Sequence, residues 1–409
     1  MGCGGSGDNG SNYPGRLSPT PDAVNRATKE LTTGRAKNVT LAANGFGFTL
    51  FQEVAKKEAN KNFFISPTSI AMALTMALTG ADANTQTEME KVLGLTGMPE
   101  REVKEAIKNI RTVLAAPDKG VSLEIANSLW AKEGVAFKRE FTGTNEDYFG
   151  AKVTTLDFSK EEAPDAINVW VSEATQEKIK QIVDKIPPEM VLYIVNAVYF
   201  KGGWQDPFDA KQTSDREFTP FDGKVKTVPM MHQTGEYEYQ KTDKFAMARL
   251  PYGTGRLGMF VMLPNQGVPV ADVVKQLNAK NWDAWTPKFK KLEGKIGLPK
   301  FKLEYSTSLN DALKALGMTE AFEAGKANFK GIAADPPLFI SNVGHKTFVE
   351  VNEEGTEAAA VTDVAVAATA APIAPKETFE LIANRPFVYA IVDKQTGAIL
   401  FLGVMGDPA

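Results

Sequence analysis

Cysteine and histidine are almost absent from this chain of 409 residues, which carries one Cys, Cys3, and two His, His232 and His345. A single cysteine excludes an intrachain disulfide framework and a cysteine-based metal cluster, so stability must come from packing. Cys3 lies in the glycine-rich start MGCGGSGDNG, where it cannot be held rigidly beside a base, and this closes the Cys–His nucleophile route. No apolar run of about eighteen residues occurs, so no segment is built to span a bilayer as a helix. The longest stretch of small residues, 358–375, is broken by Asp363 and contains Pro372 and Pro375. G-x-S-x-G, P-loop, HExxH and EF-hand patterns are missing too, and without an elbow no serine is presented to either histidine. A glycosidase-type carboxylate pair stays open, because its members can lie anywhere among 50 acidic residues.

Charge of one sign is also lacking. The 46 basic and 50 acidic side chains leave a formal charge of −4, and no like-signed block marks either end, which argues against nucleic acid as the main partner. KFKKLEGK, residues 288–295, is a short basic stretch on a solvated face. EREVKEAIKNIR interleaves Arg101, Lys104, Lys108 and Arg111 with Glu100, Glu102 and Glu105, so no polyanion site is read there.

What is present is a globular composition, 43% apolar and 23% charged. The first fifteen positions hold six glycines, and residues 1–40 read as a flexible N-terminal leader. After it no linker or repeat divides the chain, so 41–409 reads as a single domain. Between Asn44 and Asn60, Phe46, Leu50, Phe51 and Val54 stand at helical spacing. Next, Ser66 is placed to cap a helix, Pro67 suits its first turn and Gly80 its end, with no polar face between, so that helix is buried. Ser122 to Trp130 and Val191 to Phe200 read as strands, the second apolar on both faces except for Asn196 and therefore central. INVWVSEATQEKIKQIV, 167–183, has helical periodicity. RLGMFVMLP and KIGLPKFKLEY read as strands, and PFVYAIV and AILFLGVM flank DKQTG as a hairpin. Strands and helices mix without regular βαβ alternation, which favours α+β.

The segment 355–375 stands apart. It lies between the strand-like TFVEVNEEG and PFVYAIV, and about twenty residues is long for a connection in a compact domain. From Gly355 to Pro372 there is no aromatic, Leu, Ile or Met. Taken as a strand, positions 356, 358, 360, 362, 364 and 366 are Thr, Ala, Ala, Thr, Val and Val, while Glu357 and Asp363 share the opposite face. Two readings fit: an alanine-rich linker, or a loop able to enter a sheet.

At this point the residues resemble the serpin family from about Asn44 to Pro408. The resemblance is carried by NFFISPTSIAMAL with Gly80 and Thr85; INVWV with Thr175 and Lys178; VNAVYFKGGW with Phe208 and Thr213; LPYG; LPKF; HKTFVEVNEEGTEAAA; ANRPF; and ILFLGVMGDP. It implies an α+β fold of three β-sheets and about nine helices with an exposed reactive-centre loop, 355–378. It also implies a monomeric, metastable protease inhibitor that is not an enzyme, works without metal or cofactor, and is cleaved as a suicide substrate before its loop inserts into the main sheet.

Carried over by position, the resemblance makes Gly355, Thr356, Glu357, Ala358, Ala359 and Ala360 the hinge. The bond Thr369–Ala370 becomes the scissile bond, with Ala368, Ala370 and Ala371 as the other candidates for the attacked residue. Small residues at the site favour elastase-like or subtilisin-like serine proteases, with papain-like cysteine proteases as a second class. Ser66, Ser69, Asn196 and His345 match the shutter; on the residues alone they are four separate core or capping groups. Trp204, Lys300 and Glu353 match the breach, though Glu353 and Lys300 alone could be a surface pair worth at most about 1 kcal/mol. A non-inhibitory binding or chaperone module is the alternative within the family. Cys3 followed by GGSGDNGSN resembles the start of a bacterial lipoprotein, which implies an extracellular or cell-surface location with a lipid anchor at Cys3; the alternative is cytoplasmic. His232 is assigned no role.

Overall fold

Apolar periodicity and runs of β-branched residues set the elements of the computed structural model, which describes residues 19–356 and 377–408. Its helices are α1 (Pro21–Thr33), α2 (Ala36–Lys57), α3 (Pro67–Leu78), α4 (Ala83–Leu93), α5 (Glu100–Leu114), α6 (Arg139–Thr144), α7 (Ala163–Ala174), α8 (Val270–Val274), α9 (Ala279–Trp285) and α10 (Asn310–Ala315). The first eight strands are β1 (Phe63–Ile65), β2 (Val121–Lys132), β3 (Lys152–Leu156), β4 (Leu192–Gly203), β5 (Ser214–Phe218), β6 (Lys226–Lys241), β7 (Phe245–Pro251) and β8 (Leu257–Pro264). The rest are β9 (Lys290–Pro299), β10 (Phe301–Ser308), β11 (Ile340–Asn352), β12 (Gly355–Thr356), β13 (Thr378–Ile382), β14 (Phe387–Asp393) and β15 (Ile399–Met405).

Six strands form one sheet in the order β10-β11-β12-β4-β2-β3, and nine form the other, β1-β15-β14-β8-β7-β6-β9-β13 with β5 on β6. The fold is the expected α+β one, with two of the anticipated three sheets joined by hydrogen bonds through the long strand β6. Met230 to Lys226 of β6 pair with β5, whereas Glu238 to Lys241 pair with β7.

β4 is central, as its apolar run predicts, and its two faces serve two cores. Tyr193, Val195, Ala197 and Tyr199 pack under α7 with Trp130, Trp170 and Phe348. Leu192, Ile194, Val198 and Phe200 face the larger core shared with α2, α3 and the nine-stranded sheet. This alternation is the two-residue strand period applied to a sheet covered on both sides.

Three local expectations change. The leader does not extend to residue 40: Thr20 caps α1, its Oγ1 accepting from the Ala23 N–H at 3.3 Å, and Pro21 opens the first turn. Ala27 and Leu31 of α1 are buried where it packs along α5. The helix expected over 167–183 stops at Ala174. Thr175 Oγ1 donates to Val171 O and accepts from Ile179 N, and Gln176 and Glu177 take positive φ of 53° and 60°. The chain then doubles back to Asn168, whose Oδ1 accepts from Ile182 N and Val183 N while its amide donates to Val183 O. KIGLPKFKLEY splits at Lys300 into strands of different sheets.

Candidate functional site

Two polar clusters lie on the six-stranded sheet, one midway along β4 and one at the end where β12 begins. Asn196 faces His345 in parallel register across β11 and Asn127 in antiparallel register across β2. Its amide nitrogen donates to Ser69 Oγ and Asn127 Oδ1, both at 2.5 Å, and its Oδ1 lies 2.6 Å from His345 Nδ1. The Ser66 backbone N–H donates to His345 Nε2 at 3.1 Å. Because Nε2 accepts, the ring proton sits on Nδ1 and donates to Asn196, which fixes one neutral tautomer. Burial pushes the imidazole down to about 3; nothing there can solvate a charged ring.

The four residues matched from sequence thus do meet, and Asn127 joins them. Asn127 was missed because Ser122 to Trp130 was read only as a strand, without asking which of its polar residues face Asn196. Ser66 differs in detail, since its side chain makes no capping bond to α3; its backbone holds the histidine instead.

At the other cluster, β11 turns into β12 through Glu353 and Glu354, with Asn352 Oδ1 accepting from the Glu354 and Gly355 N–H groups. Glu353 Oε2 lies 2.9 Å from Lys300 Nζ, and its Oε1 accepts from Thr213 Oγ1 at 2.8 Å. Burial raises the Glu353 carboxyl, but the hydrogen bonds from Lys300, its own backbone and Thr213 outweigh this and hold it below its ordinary range. Trp204 Nε1 donates to Asn352 O at 3.0 Å, and its ring stacks on Tyr252 with centroids 4.4 Å apart. Trp204, Lys300 and Glu353 are therefore one assembly. Tyr252 completes it, a residue that sequence reasoning quoted within LPYG without a role.

The loop enters the sheet here. Val351 pairs with Thr356 and Asn352 with Gly355 on one side, and Gly203 and Gly202 pair with them on the other, so β12 wedges between β11 and β4. Gly355 has φ of 146°, and a Cβ on it would lie 2.1 Å from Gly202 O, so only glycine fits. Thr356 is fully buried, with its hydroxyl 2.7 Å from the Tyr252 hydroxyl. Below β12, Ile340 to Phe348 of β11 pair directly with β4. Glu357, Ala358, Ala359 and Ala360 of the hinge, the Thr369–Ala370 bond and Cys3 lie outside the described residues.

Among the described residues no group of three or more His, Cys, Asp or Glu could hold a metal ion, and no helix is long and apolar enough to cross a membrane.

Comparison with known proteins agrees with this geometry. A family model described as serpin, serine protease inhibitor, matches residues 41–408. An uncharacterized serpin-like protein of Thermococcus kodakarensis is 38% identical over 92% of this chain and 88% of its own length. The leukocyte elastase inhibitor of Xenopus tropicalis is 34% identical over 91% of this chain and all of its own. Among solved structures, the native state of the thermophilic serpin tengpin superposes with a TM-score of 0.84 at 31% identity, covering 91% of this chain and 94% of the other. Human thyroxine-binding globulin in complex with thyroxine gives the same TM-score at 28% identity, covering 91% and 99%. With the family model spanning nearly the whole chain and the fold and polar clusters in place, this protein belongs to the serpin family of serine protease inhibitors.

Proposed function

We propose that this serpin inhibits serine proteases as a suicide substrate. The protease serine hydroxyl attacks the Thr369 carbonyl, an ester forms to Thr369, and the amine of Ala370 leaves. The freed strand then extends β12 along the seam between β11 and β4, carrying the acylated protease with it before water completes hydrolysis. The observation that supports this reading most is the placement of Gly355 and Thr356 between those strands, followed in sequence by Glu357 and the small residues Ala358 to Ala360. Each even-numbered side chain of the segment is small and uncharged through Val366, so burial beneath the sheet strips water from no charge.

In this reading Gly355 to Ala360 are the hinge, and Trp204, Lys300 and Glu353 are the breach through which the loop enters. Ser66, Ser69, Asn196 and His345 form the shutter that holds β11 against β4. Small residues on both sides of the bond fit proteases with shallow primary pockets, elastase-like or subtilisin-like, and papain-like cysteine proteases form a second class. The protein acts as a monomer outside the cytoplasm or at the cell surface, with Cys3 as the anchor point.

The test is incubation with an elastase and a subtilisin, followed by denaturing electrophoresis and mass measurement of the released fragment. A covalent complex that survives detergent, with a fragment beginning at Ala370, is expected. If every protease only nicks the loop and leaves active, the protein is a binding or chaperone serpin instead, the reading for which thyroxine-binding globulin is the structural precedent.

A further inference from the structure

Next to the breach lies a cleft of about 660 Å³, a volume within the range of small-molecule sites. Residues 233–238 of β6 form one wall, and Gln205 and Asp206, which follow Trp204 in sequence, form another. Hydrogen bonds tie these walls together. Gln233 Nε2 donates to the carbonyls of Asp206 at 3.0 Å and Pro207 at 2.8 Å, while its Oε1 accepts from the Tyr237 hydroxyl at 2.5 Å. The Gln205 N–H donates to Pro251 O at 2.8 Å. Arg249, whose side chain is only 6% exposed, donates through NH2 to Gly255 O at 2.6 Å. The cleft is thus held in shape by the protein's own bonds, which lowers the ordering that binding requires.

The charges of the lining decide what it suits. Glu238 lies 3.3 Å from Arg249 NH1 and also pairs with Lys394, and Glu236 lies 3.1 Å from Lys291. Both cations of the lining therefore already face a carboxylate. An anionic ligand would have to displace Glu236 or Glu238, and a cationic one would have to compete with Arg249, Lys291 and Lys394. Asp206 has no cation partner among the described residues, but it is single and exposed, so it adds an acceptor more than a field.

A neutral, hydroxyl-rich ligand meets neither obstacle. An ionised carboxylate has about four lone-pair sites, so Glu236 and Glu238 keep acceptor capacity beyond their ion pairs. Phe289 supplies apolar surface: it is half-buried in the lining, with its ring set edge-on to Phe260 at 5.5 Å. Many acceptors, internally balanced charge and an aromatic ring match a sugar, which presents hydroxyls at its rim and C–H groups on its face.

We propose that this cleft binds a neutral saccharide of one or two rings, with Asp206, Glu236 and Glu238 accepting from its hydroxyls and Phe289 packing against its face. The site is separate from the reactive loop, so the proposal is decided by binding and does not depend on the inhibition reading above.

The experiment titrates the full chain by calorimetry with D-glucose, D-galactose, N-acetylglucosamine and maltose, and with spermidine and citrate as charged comparisons. At least one sugar should bind saturably with a Kd of about 1 mM or tighter, and the thermal midpoint should climb with that sugar's concentration. Asp206→Ala should weaken binding about tenfold, the share of one hydrogen bond to a charged group. Thr234→Trp, at an exposed position of the lining, should block the cleft while deleting none of the groups named above. Val169→Ala, on the exposed face of α7, should bind like wild type. Thermal midpoints measured without sugar separate loss of binding from loss of fold in each variant. No saturable binding of any of the four sugars up to about 10 mM overturns the proposal. So does tighter binding of spermidine or citrate than of every sugar, or sugar binding that Asp206→Ala and Thr234→Trp both leave unchanged.

Discussion

Thr356 is the residue on which the sequence pattern and the fold meet most directly. The two-residue period placed it on the buried face of an extended loop, and it is fully buried against Tyr252. Thr356→Arg would force a guanidinium into that space, a desolvation the site cannot offset. The variant should turn from inhibitor towards substrate, with at least about a tenfold rise in inhibitor molecules consumed per protease inactivated, a loss of roughly 1.4 kcal/mol in the insertion step. Unchanged stoichiometry in a titration against elastase would remove the insertion step from the mechanism. His345 gives a second expectation. In the unfolded chain its ring charges below about 6.5, but in the fold only below about 3, so the unfolded state takes up the proton first. Its contribution to stability is complete above about 6.5 and declines as pH falls towards 3, by up to about 1.4 kcal/mol per pH unit. The urea midpoint should drop over that window in wild type and drop less steeply in His345→Gln; parallel curves would show that the ring does not titrate on unfolding. The cluster around it was only half legible. Ser69, Asn196 and His345 stand out as polar residues in apolar stretches, but which strand faces which is a matter of register, and register brought in Asn127.

At the scale of elements, the strands were easier to read than the places where elements end. The hairpin of β14 and β15 lies where DKQTG put it, because its turn residues and its apolar runs agree. The end of α7 was hidden: residues 167–183 keep helical spacing, yet Thr175 and Asn168 satisfy backbone groups locally and let the chain reverse. α1 was hidden for the opposite reason. PDAVNRATKELTT is mostly polar, and its buried stripe consists of little more than Ala27 and Leu31, too thin to show against a glycine-rich start. That stripe is still testable. Leu31→Ala leaves a void between α1 and α5 and should destabilise the protein by about 2–5 kcal/mol, seen as a lower thermal midpoint; a midpoint within a degree of wild type would mean that α1 is not packed in solution.

For the whole molecule, the family resemblance supplied the architecture, since no local pattern says that β6 pairs with β5, β7 and β9 or that β12 splits β11 from β4. Physical reading of the residues supplied what the proposed insertion needs: a ribbon whose even-numbered side chains from Thr356 to Val366 are small and uncharged. If the seam is the ribbon's destination, cutting the loop with a non-target protease should raise the melting temperature by tens of degrees, because the six-stranded sheet gains a full central strand. A cleaved sample that melts where the intact one does would show the ribbon left outside. The nine-stranded sheet has its own consequence for how the molecule is made. Phe63 of β1 finds its partner in Val404 of β15, and β14 and β15 lie between β1 and β8. On the ribosome the early helices and strands emerge long before the pair that must slot in among them. Both interior strands are therefore made after the neighbours that flank them, so the facing edges of β1 and β8 wait unpaired until β14 and β15 have emerged.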